Sequence, residues 1–247
     1  MGPVSIVVTT YVPPDTTRLD ALLAAAASWG WALKYDGEIR LIVEDDGSPD
    51  TRWMERLHRT WEMLFYEIGL GGVGVGTERL FYETGRGGVG ASLNRGLAKA
   101  FERSPIALYA VDDWALTEDF DITPWVQMLE ENTQIGCVRL GPPHPGISGT
   151  IVAASSNWQG WALRLEPAAG GIIAAQRPAL WHKRFFDAVG PWKEDCSALE
   201  CEFDMNVRWG AQYRRDPSTP AIVLALPHPW QHIDTVSLSA INPGERS

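Results

Sequence analysis

PIALYAVDDW, at residues 105–114, is an apolar run that ends in two acids. Its apolar residues do not alternate with polar ones, which is typical of a strand buried on both faces of a sheet. The stretch before it, GASLNRGLAKAFERS (90–104), has a helical pattern. The sequence therefore predicts a helix and then a buried strand that carries Asp112 and Asp113 to one edge of a sheet.

The preceding residues repeat this alternation of strand and helix. VSIVVTTY (4–11) and EIRLIVEDDGSPD (38–50) are predicted strands, and helical patterns follow them at 15–33 and 51–63. This order predicts an α/β fold with a mainly parallel central sheet and helices on both faces. Ligands of such sheets bind beyond the carboxyl ends of the strands, so we expect three ends to converge there. These ends are Thr9-Thr10-Tyr11, Glu44-Asp45-Asp46 and Asp112-Asp113.

The second half of the chain has a different pattern. Residues 141–175 are rich in Gly, Pro, Ser and Ala, which predicts loops and short strands. PALWHKRFFDAVG (178–190) and residues 199–213 are predicted helices, the first ending at Gly190. PAIVLALPHPWQH (220–232) is predicted to be a last strand and a tail.

Composition narrows the class of protein. The chain has 247 residues and a formal net charge of −10, which argues against a broad phosphate-binding face and hence against nucleic acid as the default partner. Three cysteines without C-x-x-C spacing, no signal-like start and no membrane segment favour a soluble cytoplasmic protein.

Two glycine-rich stretches nearly repeat each other, LFYEIGLGGVGVG (64–76) and LFYETGRGGVGAS (80–92). Both contain G-x-G-x-x-G, but a dinucleotide fold needs this motif directly after its first strand. We therefore expect no dinucleotide cofactor. The second copy should open the helix before the 105–114 strand, with Arg86 as a phosphate contact. The first copy is expected either to pair its LFYE with the second LFYE in a hairpin or to form a flap.

Six stretches occur in an order and spacing that resemble the family 2 glycosyltransferases of the GT-A fold: SIVVTTY, LIVEDDGSPD, GVGASLNRGL, LYAVDDW, PALWHKRFFDAVGPW and ECEFDMNVRW. The resemblance covers roughly residues 4–210. It implies one GT-A-like catalytic domain over 1–247, with a nucleotide-sugar-binding half (about 1–114) and an acceptor-binding half (about 115–247). It also implies an inverting transfer of sugar from a nucleotide-diphosphate donor to an acceptor hydroxyl.

The resemblance also assigns a donor site. A carboxylate can accept the N–H of a uracil ring, which favours a UDP-sugar. The alternative for Asp45 to Ser48 is a plain turn. The residues expected to bind the donor are Thr9, Tyr11, Asp45, Asp46, Arg86, Asn94 and Asp112.

A metal site is expected where the family has its D-x-D motif. Val111-Asp112-Asp113-Trp114 lacks a strict D-x-D, so either acid is a possible ligand, with Asp113 preferred. His232 is preferred over His228 as a further metal ligand. The alternative is that His232 is a surface histidine without a role in metal binding. Mn²⁺ or Mg²⁺ is the expected cofactor, because hard cations prefer oxygen ligands.

Glu202 stands where the family has its catalytic base, although Cys201 replaces the preceding acid. The alternative for Glu202 is a solvated helix face beside Arg208. Trp158, Trp161 and Trp181 are expected to line the acceptor cleft, with core packing as the alternative.

Two other functions remain open from the sequence. A nucleotidyltransferase would share the α/β layout and the metal-binding acids, but TTYVPPDTTR is a poor phosphate loop. A non-catalytic carbohydrate-binding protein with a decayed transferase site is the other. The acceptor itself is not predicted: a glycan, a lipid-linked sugar, a protein side chain, a small molecule and a modified DNA base all fit.

Overall fold

The structure is a computed structural model, and it describes residues 1–13, 17–50, 52–67, 80–85, 87–142, 149–153, 161–167, 174, 176–226 and 229–233. The helices are α1 Thr17–Ala32, α2 Trp53–Glu67, α3 Gly88–Phe101, α4 Thr123–Glu131, α5 Lys183–Val189 and α6 Ala198–Arg215. The strands are β1 Val4–Thr10, β2 Leu33–Lys34, β3 Ile39–Asp45, β4 Leu80–Thr84, β5 Ile106–Val111, β6 Trp114–Leu116, β7 Phe120–Asp121, β8 Ile135–Arg139, β9 Gly149–Ala153, β10 Trp161–Leu165, β11 Ala179–His182, β12 Ala221–Leu226 and β13 Trp230–His232. No helix in these ranges is long and apolar enough to cross a membrane.

A nine-stranded sheet organises the molecule, in the order β4-β3-β1-β5-β11-β8-β12-β10-β9. The four strands β4, β3, β1 and β5 are parallel, and β11 then runs antiparallel to both of its neighbours, β5 and β8. The predicted α/β fold with a largely parallel sheet is confirmed, and the antiparallel strands make that sheet mixed.

Helices cover both faces of this sheet because neighbouring residues of each buried strand point to opposite sides. In β1, Ile6 and Val8 face the core layer under α1 and α2, whereas Val7 faces the layer under α3, α5 and α6. Every residue of β1 is buried, which explains its unbroken apolar run.

The predicted helix at 178–190 is wrong in its first part. Residues Ala179–His182 form β11, and the helix α5 begins only at Lys183. A short apolar run that is buried on both faces stabilises a strand between β5 and β8, and this tertiary environment outweighs local helix propensity. The helix ends as predicted at Gly190, whose φ is 92° and whose N–H donates to Phe186 O.

The two LFYE copies adopt different structures. Residues 64–67 are the last turn of α2, whereas residues 80–83 belong to the edge strand β4, so the predicted hairpin between them is wrong. The second copy does lead into the helix before β5, as expected, and Gly87 and Gly88 make the turn with φ of 127° and 76°. The remainder of the first copy, from residue 68 on, lies outside the described residues.

Candidate active site

The predicted convergence of strand ends is confirmed by the register of the sheet. Thr10 at the end of β1 pairs with Asp45 of β3, and Thr9 pairs with Val111 of β5. Because β1 lies between the other two strands, the residues that follow all three strands emerge at one edge. This edge, where β11 reverses direction beside β5, is the candidate active site.

Asp112 is held by three donors inside the protein. Arg18 of α1 contacts both of its carboxylate oxygens, from Nη2 to Oδ1 at 2.5 Å and from Nε to Oδ2 at 3.0 Å. Thr10 Oγ1 donates to Oδ2 at 2.7 Å. Burial raises the pKa of Asp112 to about 6, an effect that the Arg18 charge opposes and the Asp113 charge reinforces. Both carboxylate oxygens of Asp112 are therefore engaged by Arg18.

Asp113 has one engaged and one unengaged oxygen. Its Oδ2 lies 3.1 Å from His232 Nε2 and 3.3 Å from Arg18 Nη1. Its Oδ1 is buried and has no hydrogen-bond partner among the described residues. A buried carboxylate oxygen without a donor is costly, and such an atom is a natural ligand for a cation.

His232 reaches Asp113 through the C-terminal strand. β13 pairs with β6, which aligns His232 with Trp114, and Ile233 N donates to Asp113 O at 2.8 Å. The Trp114 and His232 rings meet edge to face at 5.7 Å. The two predicted metal ligands thus lie side by side, although residues 113 and 232 are far apart in the chain.

These residues fit a divalent ion as a partial ligand set. Asp113 offers a free carboxylate oxygen and His232 an imidazole. Within the described ranges, no group of three His, Cys, Asp or Glu side chains is arranged to hold a metal. A metal bound here would consequently need further ligands from a substrate or water.

Asp45 and Asp46 have different environments. Asp45 is fully buried and accepts hydrogen bonds from Ser48 N, at 3.1 Å, and from Ser48 Oγ. Ser48 Oγ in turn accepts from Val12 N at 2.8 Å. Asp45 therefore fixes the turn after β3, which was the structural alternative for this residue.

Asp46 is half-buried and caps the start of α3, where its Oδ1 accepts from Gly88 N at 3.1 Å. Burial is the main cause that raises its pKa, and the bond from Gly88 opposes it. Tyr11, 48% exposed, follows β1 at the same edge, while Thr9 is buried with its hydroxyl 3.1 Å from Tyr109 Oη. Asp46 and Tyr11 are thus accessible residues of the predicted donor site.

Glu202 lies in the first turns of α6 and is half-buried. Its Oε1 accepts from Gln176 N at 2.5 Å. Burial raises its pKa, and the hydrogen bond from Gln176 and the charges of Arg177 and Arg139 oppose that effect. Asp204, two residues later, points elsewhere and pairs with Arg208 at 2.7 Å, so Glu202 is not part of the Arg208 pair.

The negative charges of Glu202, Asp112 and Asp113 all affect the buried Tyr109. Its buried hydroxyl has a raised pKa, first because of burial and then, against the bond from Thr9, because of the negative charges of Asp112, Asp113 and Glu202.

Two predicted site residues have structural roles instead. Trp181 is 0% exposed and packs its ring 4.9 Å from Phe185 and 5.8 Å from Trp192, so it is a core residue and cannot line an open cleft. Asn94 donates to Trp192 O and accepts from Trp192 N, both at 2.9 Å, and also donates to Glu194. Its amide thus holds the segment before α6.

The other predictions fall where less is described. Arg86, Trp158 and His228 lie outside the described residues, and Trp161 is described only through its backbone in β10.

The sequence analysis assigned no role to Arg18 or Thr10, which hold Asp112. Thr10 was named at a strand end, whereas Arg18 lay in a predicted helix and was not singled out. Only the packing of α1 against the sheet brings its guanidinium to Asp112.

Comparison with known proteins gives the fold a name. No protein-family model and no curated protein matches this sequence. Among solved structures, a fragment (1–349) of TarS from S. aureus matches with a TM-score of 0.55 and 14% identity, over 91% of this chain and 58% of that chain. A longer TarS structure gives 0.55 and 15%, over 91% and 35%. The fragment in complex with UDP gives 0.47 and 13%, over 91% and 57%.

This chain thus spans 58% of the fragment it matches. The mixed, largely parallel sheet and its flanking helices correspond to those of TarS. The protein has the GT-A fold that its sequence motifs predicted.

Proposed function

We propose that this protein is a metal-dependent, inverting glycosyltransferase that moves a sugar from a nucleotide-diphosphate donor, with UDP-sugar favoured, to an acceptor hydroxyl. The observation that carries the proposal is the unengaged, buried Oδ1 of Asp113 beside His232 at the edge where β3, β1 and β5 end. The GT-A fold supports it as well, because the sequence motifs in this fold resemble those of the family 2 glycosyltransferases.

The donor nucleotide would lie over Tyr11 and Asp46. Tyr11 presents an exposed aromatic ring, on which a base can stack, and Asp46 is the accessible carboxylate for the N–H of uracil. Asp45 already accepts a hydrogen bond from Ser48 N, so its proposed role is to stabilise this turn. Asp46 then contributes base selectivity.

The diphosphate would lie against Asp113 and His232. Mn²⁺ or Mg²⁺ held there would neutralise negative charge on the leaving diphosphate. Asp112 is bonded to Arg18 and Thr10, so its role is to position its neighbours and not to coordinate.

Glu202 is the proposed general base. Burial raises its pKa, which makes the carboxylate a better proton acceptor near neutral pH. It would take the proton of the acceptor hydroxyl while the hydroxyl oxygen attacks the anomeric carbon opposite the leaving diphosphate, and this geometry inverts that carbon. The bond from Gln176 N holds one carboxylate oxygen and leaves the other for the acceptor.

A thermal-shift series tests the donor site first. Wild type and Asp113→Asn would be melted with UDP-, GDP-, dTDP- and CDP-sugars, each with and without Mn²⁺. A ligand that binds only the native state raises the melting temperature. We expect an increase with UDP-sugars that needs both Mn²⁺ and Asp113.

Asp204→Asn is the matched control, because Asp204 is a half-exposed acid on α6 that pairs with Arg208 away from the site. It should respond to UDP-sugars as wild type does. If no nucleotide sugar shifts the wild type, the transferase proposal fails and a non-catalytic protein becomes the better description.

A further inference from the structure

Arg18 is a fixed positive charge at the candidate metal position. It forms two bonds to the fully buried Asp112 and places Nη1 3.3 Å from Asp113 Oδ2. Its side chain is 40% exposed, so part of it is accessible to solvent. The carboxylate that would bind a metal therefore already has a cation beside it.

A second cation at Asp113 would be repelled by this guanidinium. Even with the dielectric constant of water, a divalent ion about 5 Å from a unit positive charge loses about tenfold in affinity. Among the described residues, Asp113 and His232 supply two ligands, which is fewer than a hard divalent cation takes. The diphosphate of a donor carries the negative charge that both cations need.

From this arrangement we infer that Arg18 makes metal binding at Asp113 conditional on the nucleotide diphosphate. Without a donor, Arg18 balances one of the two negative charges of Asp112 and Asp113, and its guanidinium weakens the binding of a divalent ion. With a donor, the diphosphate interacts with Arg18 and completes the ligand set of the metal. This inference rests on the proposed function, since it assigns Arg18 a role at the same site.

Mn²⁺ binding without nucleotide tests the inference directly, through the electron paramagnetic resonance signal of free Mn²⁺. Arg18→Gln removes the charge and should tighten Mn²⁺ binding about tenfold, while UDP binding weakens. Arg18→Lys keeps the charge and should bind Mn²⁺ as wild type does. Arg59→Gln is the matched control, because Arg59 is an exposed arginine paired with Glu55 on α2.

Arg18→Gln leaves the Asp112 carboxylate without its cation and could unfold the protein. The same comparison is therefore made in the Asp112→Asn background, where no buried charge is stranded. Arg18→Gln/Asp112→Asn should bind Mn²⁺ about tenfold more tightly than Asp112→Asn alone.

Unchanged or weaker Mn²⁺ binding after loss of the Arg18 charge, in either background, would overturn the inference. Tightening by Arg18→Lys would also overturn it, because that variant retains the charge. These measurements need no sugar donor, so they separate this inference from the proposed function. If no nucleotide sugar binds any variant, the proposed function fails while the Mn²⁺ comparison still decides the role of Arg18.

Discussion

Gly90 provides a sensitive test of how the two sides of the site pack together. A methyl group built at Gly90 in α3 would overlap Lys193 O and lie 3.0 Å from Lys193 C and 3.1 Å from Cys201 Sγ. Lys193 precedes α6 and Cys201 adjoins Glu202 within it. Gly90→Ala therefore forces α3 away from the segment that carries the proposed base.

The expected cost follows from two opposing terms. Overpacking against backbone costs about 3 kcal/mol, near the upper end of its usual range. Replacing a helical glycine by alanine returns about 1 kcal/mol of helix propensity. The net loss of about 2 kcal/mol should lower the melting temperature of a chain this size by about 4–8 °C. Thermal unfolding followed by circular dichroism measures it.

Gly210→Ala is the matched control. Gly210 also lies inside a helix, but a methyl group there would be 3.4 Å from Pro167 Cβ, which is an ordinary contact. This variant should melt at or slightly above the wild-type temperature. If Gly90→Ala were equally stable, the described contact between α3 and the residue 193–201 segment would be incorrect.

Three further predictions concern the site and the core. Glu202→Gln should lower kcat by about 10²–10⁴-fold with donor affinity unchanged. Because burial raises the Glu202 pKa, the acid limb of the wild-type pH–rate profile should lie above pH 4.5. Steady-state rates from pH 4 to 8 check both expectations, and a fully active variant would exclude Glu202 as the base. Trp181→Ala should lower the free energy of unfolding, measured in urea, by about 3–5 kcal/mol, because Trp181 is fully buried. Trp181→Phe should fold and leave the acceptor KM unchanged. A raised KM in the folded Phe variant would indicate that Trp181 does contact the acceptor. Burial, opposed by the Arg18 charge, raises the pKa of Asp112 from 3.8 to about 6. Between about pH 4 and 6, Asp112 is therefore protonated in the native state and ionised in the unfolded chain. As pH rises through that window, the free energy of unfolding should fall by about 2–3 kcal/mol. This loss should be absent in Asp112→Asn, so the free energies of unfolding in urea of the two proteins should diverge with pH. The same pH dependence in both proteins would contradict the raised pKa of Asp112.

The strand ends of the site were predictable because each buried strand is an unbroken apolar run followed by polar residues. Strand order β3-β1-β5 then brings those residues together without any detail of side-chain packing. The positions of Asp46 and Asp113 could be predicted for this reason, whereas Glu202, in α6, was predicted from the family resemblance.

What the sequence could not predict depends on contacts between distant residues. LFYE has the same local propensity at 64–67 and 80–83, yet only the second copy lies beside β3, where strand pairing is available. Trp181 and Asn94 are residue types that serve equally in binding sites and in cores. Their neighbours, Phe185 and Trp192 among them, decide between these roles, and those neighbours are known only from the fold.

The nine-stranded sheet has a consequence for how substrates enter. It takes β1, β3, β4 and β5 from the first half of the chain and β8 to β12 from the second, and Asn94 ties α3 to the backbone before α6. A continuous hydrogen-bonded sheet contains no hinge, so the two halves of the chain cannot close on each other like two lobes. For the proposed glycosyltransferase, we therefore expect entry of the sugar and release of the nucleotide to depend on connections at the rim of the sheet.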